Sequence, residues 1–189
     1  MKNEGPYLKE CLDAHILVGV EKFYLYDNES TDNTKEILAP YIKKGIADYL
    51  YWPGKAQQHI AYTDSLNKHT NDTKWMAIID LDEFIVPVNH KTIPEYLKTL
   101  PKNFGELVIG WVQYGSSWHK HKPQGLVMEN FKRHADKNWG VKSIVNARLV
   151  YETRNPHVHE VAGFVIDENG KKLGRIIQDE NRNITTNKI

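Results

Sequence analysis

The sequence predicts an α/β fold with a mostly parallel central sheet flanked by helices, and three observations carry that reading. Apolar segments at helical spacing alternate with short runs rich in branched and aromatic residues, the order expected when helices join parallel strands. One run, Trp75-Met76-Ala77-Ile78-Ile79, is apolar without alternation, as a strand covered by helices on both faces would be. Two runs end in aspartates, Asp27 and Asp80, at the carboxyl ends where open α/β sheets bind ligands.

The elements follow in order. Pro6 suits the first turn of a helix because its missing N–H would be unpaired there anyway; Leu8, Cys11, Leu12, His15 and Ile16 recur at helical spacing, and Gly19 ends the helix. Val20 to Tyr26 reads as a strand running into Asp27-Asn28. A second helix follows, capped by Asp32 or Ser30, with Ile37, Leu38, Tyr41 and Ile42 on its inner face and Gly45 at its end. Ile46 to Trp52 reads as the next strand, and Ala56 to about His69 as a weaker helix with Ile60, Ala61 and Leu66. Beyond Pro87 come a short helix at Pro94 to Leu100, a strand at Glu106 to Tyr114, and short strands from Ser143 onward. Asp167-Glu168-Asn169-Gly170 reads as a hairpin turn, Asn-Gly supplying the positive φ.

At 189 residues the chain fits a single domain, 1–189. Charged residues are 26% of the chain and the net charge is +1, so no global basic field attracts nucleic acid. The lone cysteine, Cys11, excludes an internal disulfide and reads as a packing residue. No apolar run approaches the ~18 residues of a membrane span. The expectation is a cytoplasmic protein, with room for peripheral association with a membrane. Both ends read as cut: Asn3-Glu4-Gly5-Pro6 has no strand before it, and the tail from Gln178 to Ile189 has no closing element.

Asp80-Leu81-Asp82-Glu83 brings two carboxylates out of the sheet one residue apart. Hard oxygen ligands suit Mg²⁺ or Mn²⁺, which keep waters and take phosphate oxygens as further ligands. A cation there would offset the charge that grows on a diphosphate as a sugar leaves it. An Asp-x-Asp alone is equally a solvated turn; the apolar strand before it favours the metal reading. His157 and His159 project from one face of a strand and offer an imidazole to such a site, with His159 favoured because Glu160 is beside it. Two such histidines are also a common exposed strand face. Asp27, with Asn28, Glu29, Ser30 and Asp32, forms a loop that accepts from a ribose hydroxyl or a base N–H, or simply caps the next helix. Trp111, Tyr114, Trp118, His119 and His121 set aromatics and imidazoles around a Gly-Ser-Ser loop, suited to a sugar ring or to strand core, and Lys142 and Arg148 offer positive charge or only solvate a surface.

Taken in order, Lys2-Asn3-Glu4, Tyr7-Leu8, His15, Gly19-Val20, Phe23-Tyr24-Leu25-Tyr26-Asp27-Asn28 with Ser30 and Asp32, and Asp80-Leu81-Asp82-Glu83-Phe84 resemble glycosyltransferase family 92 and the related family-2-like transferases of the GT-A type. Gly115-Ser116-Ser117-Trp118-His119 and Lys142-Ser143-Ile144-Val145-Asn146 look like the family's later motifs. The resemblance implies a GT-A nucleotide-diphospho-sugar fold, with 1–90 as a nucleotide- and metal-binding half and 91–189 as an acceptor-side half, Asn3, Glu4 and Asp27 around the nucleotide, Asp80 and Asp82 around ribose and metal, and His157 or His159 nearby. The expected reaction moves a hexose from a nucleotide sugar, a UDP-sugar by preference, to a saccharide or glycoconjugate acceptor contacted by Trp118 and His119, as in polysaccharide biosynthesis. Mn²⁺ or Mg²⁺ is the expected cofactor. Asp136 and Glu160 are the candidates for the base that deprotonates the acceptor hydroxyl. A catalytically silent nucleotide- or glycan-binding domain and a metal-dependent phosphohydrolase or nucleotidyltransferase are the competing readings.

Overall fold

The computed structural model describes residues 1–136, 140–174, 176–178 and 184–186. It divides into two compact units, Met1–Ala61 with Asp80–Leu100, and Tyr62–Ile79 with Pro101–Ile189.

In the first unit, α1 (Gly5–Leu17) opens with Pro6 in its first turn, as the sequence predicts. It closes at Gly19, where φ is 93°: Gly19 N–H bonds to Ile16 O at 3.0 Å and Val20 N–H to His15 O at 2.9 Å. This is the two-bond glycine cap that uses the last helical carbonyls. α2 (Thr34–Lys43) closes the same way at Gly45, through bonds to Ile42 O and Tyr41 O. Between them β1 (Phe23–Asp27) pairs in parallel with β2 (Ala47–Tyr51), Phe23 opposite Ala47 and Asp27 opposite Tyr51. Leu8 and Leu12 of α1, Leu38 of α2, Leu25 and Ala47 form the core. Ile42, expected on the inner face of α2, is exposed instead. α3 (Gln58–His69) carries the chain into the second unit, and α4 (Ile93–Thr99) belongs to the first, capped by the Thr92 hydroxyl accepting from Glu95 N–H at 3.2 Å.

The second unit is built on a five-stranded sheet. β3 (Trp75–Ile78) pairs antiparallel with β5 (Gly140–Asn146), which pairs antiparallel with β4 (Phe104–Trp111). With the hairpin β6 (Val150–Asn155)/β7 (Val158–Val161) counted separately, β4 continues in parallel to β8 (Phe164–Ile166), and β8 antiparallel to β9 (Lys172–Leu173), giving the order β3-β5-β4-β8-β9. Leu107, Ile144, Val145 and Ile166 are buried in it. β10 (Ile176–Gln178) and β11 (Ile184–Thr186) pair antiparallel.

The fold is mixed α/β, and most of the strand pairs described are antiparallel; the two parallel ones are β1–β2 and β4–β8. The expectation of a mostly parallel sheet therefore fails in the second unit. Its origin is β3, whose burial alternates: Met76 and Ile78 are buried and Ala77 is exposed. Alanine on the outward face makes a one-sided strand look apolar throughout. The Asp167–Gly170 turn forms as predicted, except that Gly170 alone has positive φ, 76°, while Asp167 Oδ1 accepts from Asn169 N–H and Lys171 N–H at 2.9 Å each. Among the described residues, no helix is long and apolar enough to cross a membrane.

Candidate active site

Asp27 is the last residue of β1 and is buried. Its Oδ2 accepts from the Tyr49 hydroxyl at 2.6 Å and its Oδ1 from Ser30 N–H at 3.1 Å. Burial pushes its carboxyl up, but bonds from Ser30 and Tyr49 outweigh that and hold it below the ordinary carboxylate value. The loop that follows is clamped by the residues before α1. Asn3, with φ 55°, accepts from Thr31 N–H at 2.8 Å through Oδ1 and donates its own N–H to Ser30 Oγ at 2.9 Å. Met1 bonds on both sides of Asp27, its ammonium to Tyr26 O at 2.9 Å and its carbonyl to Asn28 N–H at 2.8 Å. Asp32, expected to cap α2, serves both helices: Oδ1 accepts from the Thr34 hydroxyl and N–H, and Oδ2 from Gly5 N–H at 2.9 Å. Gly5 has no room for a Cβ, which would collide with the Asn33 and Asp32 side chains. Ser30 binds Asn3 rather than capping the helix.

The acidic turn lies in the same unit. Asp80 N–H donates to Glu83 Oε2 at 2.9 Å, Glu83 N–H returns a bond to Asp80 O at 3.1 Å, and Leu81 packs against the core. Asp82 is exposed. Burial raises the Glu4 carboxyl above its ordinary value; the N-terminal ammonium opposes this, while the charges of Asp82, Asp80 and Asp32 add to it. Glu4, just before α1, thus feels the charges of Asp82 and Asp80.

His15 holds this turn in place, a role that sequence reasoning missed. Its buried ring donates through Nδ1 to Cys11 O at 2.8 Å and accepts Ile85 N–H through Nε2 at 3.2 Å, an arrangement only the neutral imidazole can make. Burial lowers its pKa accordingly, against the bond to Cys11 O. The ring stacks on Phe84 with centroids 6.1 Å apart, and Cys11 is packed beside it with its thiol pushed up to about 12, by burial and then by Asp82, Glu4 and Glu83. The available signal was a Cys11/His15 pair four apart on an apolar helix face; its partner, Ile85, is 70 positions away.

His157, His159, Glu160, Asp136, Trp118 and His119 belong to the second unit. His157 Nδ1 donates to Val141 O at 2.8 Å, which makes Nε2 the basic nitrogen and is the support usual for metal-ligating histidines. His159 is buried, with Nδ1 3.4 Å from the Thr153 hydroxyl and Nε2 without a partner among the described residues; burial, then His157, lowers its pKa to about 4, so the ring is neutral. Glu160 is paired across the hairpin with Arg154 Nη2 at 2.9 Å, and Asp136 is exposed. Lys142, read as a surface cation or a phosphate partner, is buried in β5, while Arg148 is exposed. A perturbed carboxyl the sequence reading passed over is Glu106 in β4: it accepts from the Ser143 hydroxyl at 2.6 Å through Oε1, and Oε2 is buried without a partner among the described residues. Burial drives its pKa to about 7, against the Ser143 bond and with help from Glu160.

The aromatic loop folds back on itself. Tyr114 bridges to His134 and meets its ring edge-on, His119 Nε2 lies 3.2 Å from Asn130 O and its ring meets Phe131, and Trp118 is 79% exposed. His121 is exposed, and Trp111 packs over the space that a side chain at Gly140 would need.

Among the described residues, no three His, Cys, Asp or Glu side chains gather into a ready metal cage. The structure does bring Asn3 and Asp27 to one loop, and Glu4, Asp80 and Asp82 to one electrostatic neighbourhood.

Known proteins are similar in sequence to this chain over most of its length. The model of glycosyltransferase family 92 matches residues 4–175. A glycosyltransferase family 92 protein of Oryza sativa subsp. japonica is 25% identical over 174 residues, 87% of this chain and 30% of that protein. One from Arabidopsis thaliana is 26% identical over 83% of this chain and 29% of its own length. A beta-1,4-galactosyltransferase of Caenorhabditis elegans is 26% identical over 84% of this chain and 40% of its own. The chain spans less than half the length of these relatives. A match running from Glu4 through the Asp80–Asp82 turn to residue 175 shows that this chain belongs to glycosyltransferase family 92.

Proposed function

We propose that the chain forms the donor-binding part of a metal-dependent hexosyltransferase of the GT-A type, using a nucleoside-diphosphate sugar, by preference a UDP-sugar, and a saccharide acceptor. The observation that carries this reading is the Asp80–Glu83 turn, closed by Asp80 N–H to Glu83 Oε2 and leaving Asp82 exposed, with Glu4 near enough for the charges of Asp82 and Asp80 to raise its carboxyl. The donor set is all hard oxygen, which fits Mn²⁺ or Mg²⁺, and such ions need few protein ligands when phosphate oxygens complete the shell. Asp80 and Asp82 would hold the ion, which supplies charge neutralisation at the leaving diphosphate. Asp27, oriented by Tyr49 and Ser30, keeps an ionised carboxylate at the nucleotide end, and Asn3 fixes the loop that carries it. The β1-α2-β2 parallel unit, with polar loops at its carboxyl ends, supports the GT-A reading.

Of the two histidines read as imidazole donors, His157 has the geometry suited to that role, because its Nδ1–H is held by a backbone carbonyl, while His159 Nε2 is enclosed. Trp118 and His119 are proposed to face the acceptor. Of the two base candidates, Asp136 is favoured over Glu160, whose carboxylate is engaged by Arg154.

The test is calorimetric binding of UDP with and without Mn²⁺, for the native chain and Asp82→Asn. Mn²⁺-dependent binding, weakened at least about tenfold in the variant, is expected, about 1.4 kcal/mol or more. Equal binding by a folded Asp82→Asn protein would overturn the assignment.

A further inference from the structure

Residues 118–134 carry Lys120, Lys122, Lys132 and Arg133 against a single carboxylate, Glu129, in a chain whose net charge is only +1. The segment's structure sets one of these cations, Arg133, against an aromatic ring. Ser117 and Trp118 both have positive φ, 49° and 68°. Two consecutive left-handed residues that are not glycine are costly, about 1 kcal/mol or more each, and persist only where the surroundings impose them. Here the Ser117 hydroxyl accepts from both Lys132 N–H, at 2.9 Å, and Arg133 N–H, at 3.1 Å. Gly115 N–H to Arg133 O at 2.8 Å and Ala135 N–H to Gln113 O at 3.0 Å close the lobe on either side. The bonds that hold the strained turn therefore also fix Lys132 and Arg133 beside it.

The result is an indole turned out to solvent, 79% exposed, with the Arg133 guanidinium 5.5 Å from its ring centroid. Among the described residues, Lys120, Lys132 and Arg133 form no ion pair with a carboxylate. A guanidinium laid against an indole keeps its plane and directs its N–H edge outward, where it matches a carboxylate or sulfate with little ordering cost. The indole surface left open suits the C–H face of a sugar ring.

We propose that this lobe binds an anionic glycan, with Trp118 stacking on a sugar ring and Arg133, supported by Lys120 and Lys132, pairing with an acidic substituent. The inference rests on the acceptor role proposed for Trp118 and narrows it to acidic acceptors.

The test titrates the full chain, without donor or metal, with an oligouronate and with a neutral oligosaccharide of the same length and linkage, followed by calorimetry at low and at physiological salt. Binding of the oligouronate at least about tenfold tighter than the neutral glycan, with the preference shrinking as salt rises, is expected. Arg133→Gln should cut that preference to within about threefold, and Trp118→Ala should weaken oligouronate binding about tenfold or more, each in a chain with native circular dichroism. Equal affinity for the two glycans, or an acidic preference that survives Arg133→Gln, would overturn the proposal. So would binding to vesicles of anionic lipid without binding to the soluble glycan, which would assign the lobe to a membrane surface. Because neither UDP nor Mn²⁺ is present, failure of the donor-site reading leaves this result standing, and the UDP titration is equally independent of it.

Discussion

In the first unit, Asp27 at the end of β1 and the nearby Asn3 and Asp32 spend their hydrogen bonds on adjoining loops and element ends: Asp27 on Ser30 and on Tyr49 of β2, Asn3 on Thr31, Asp32 on Gly5 and Thr34. In the second, the comparable polar groups lie within the sheet and the hairpin, where Glu106 and His159 each keep a buried polar atom with no partner among the described residues. The same residue types therefore do opposite things. A carboxylate at a strand tip receives N–H and O–H bonds and stays ionised; one in the middle of a strand loses water without enough donors and is pushed toward its neutral form. A carboxylate that stays charged at a strand tip is available to a ligand, and this is the support the first unit lends to the proposed donor site.

The sharpest way to break this comparison is Asp27→Ala. It strips the partners of Tyr49 OH and Ser30 N–H in a buried setting, and should cost about 3–4 kcal/mol, read as a shift in the urea midpoint. Because the folded carboxyl lies below its ordinary value of 3.8, its stabilisation is complete above that value and disappears as pH falls through the folded value. The variant should therefore show a flatter acid limb than the native chain.

Glu106→Gln should show the reverse pH dependence. With its folded value raised to about 7 from 4.5, the native carboxyl contributes fully below 4.5 and its contribution is lost as pH rises through 7. Glutamine keeps an acceptor for Ser143 and cannot ionise. The variant should gain on the native chain between these pH values, by up to about 3 kcal/mol at alkaline pH, in thermal melts taken across the range. A pH-independent difference would show that Glu106 is not the titrating group.

His15→Leu should cost about 2 kcal/mol, because Ile85 N–H and Cys11 O lose their partner, and should weaken Mn²⁺-dependent UDP binding by loosening the Asp80–Ile85 turn. His15→Gln, which keeps an acceptor near Nε2, should recover most of the binding; recovery of stability without binding would make the histidine a packing residue alone. Lys9→Ala removes an exposed ion pair with Asp13 one helical turn away and should change stability by no more than about 0.5 kcal/mol in the same melts.

What the sequence made legible follows from the range of the interactions. Helix ends were readable at Pro6, Gly19 and Gly45, because caps are set by residues a few positions apart. Asp27 and Asp80 stood out as candidates because each follows a run of apolar and aromatic residues directly, and Asp82 because it comes two positions after Asp80. The second unit's sheet was not readable, since β5 enters between β3 and β4 although it follows both in the chain, and the exposed alanine at 77 disguised a one-sided strand as a two-sided one. His15 and Glu106 escaped for the same reason: their partners, Ile85 and Ser143, lie 70 and 37 positions away. Burial of a polar group depends on such distant pairing, and local pattern does not carry it.

The donor-site assignment is tested most directly by paramagnetic line broadening, titrating Mn²⁺ with UDP into the isotopically labelled chain and into Asp82→Asn. The account predicts that Glu4, Leu81, Asp82 and their backbone neighbours broaden first in the native protein, and that this pattern is lost in the variant. Broadening centred on other residues, or unchanged by Asp82→Asn, would contradict it.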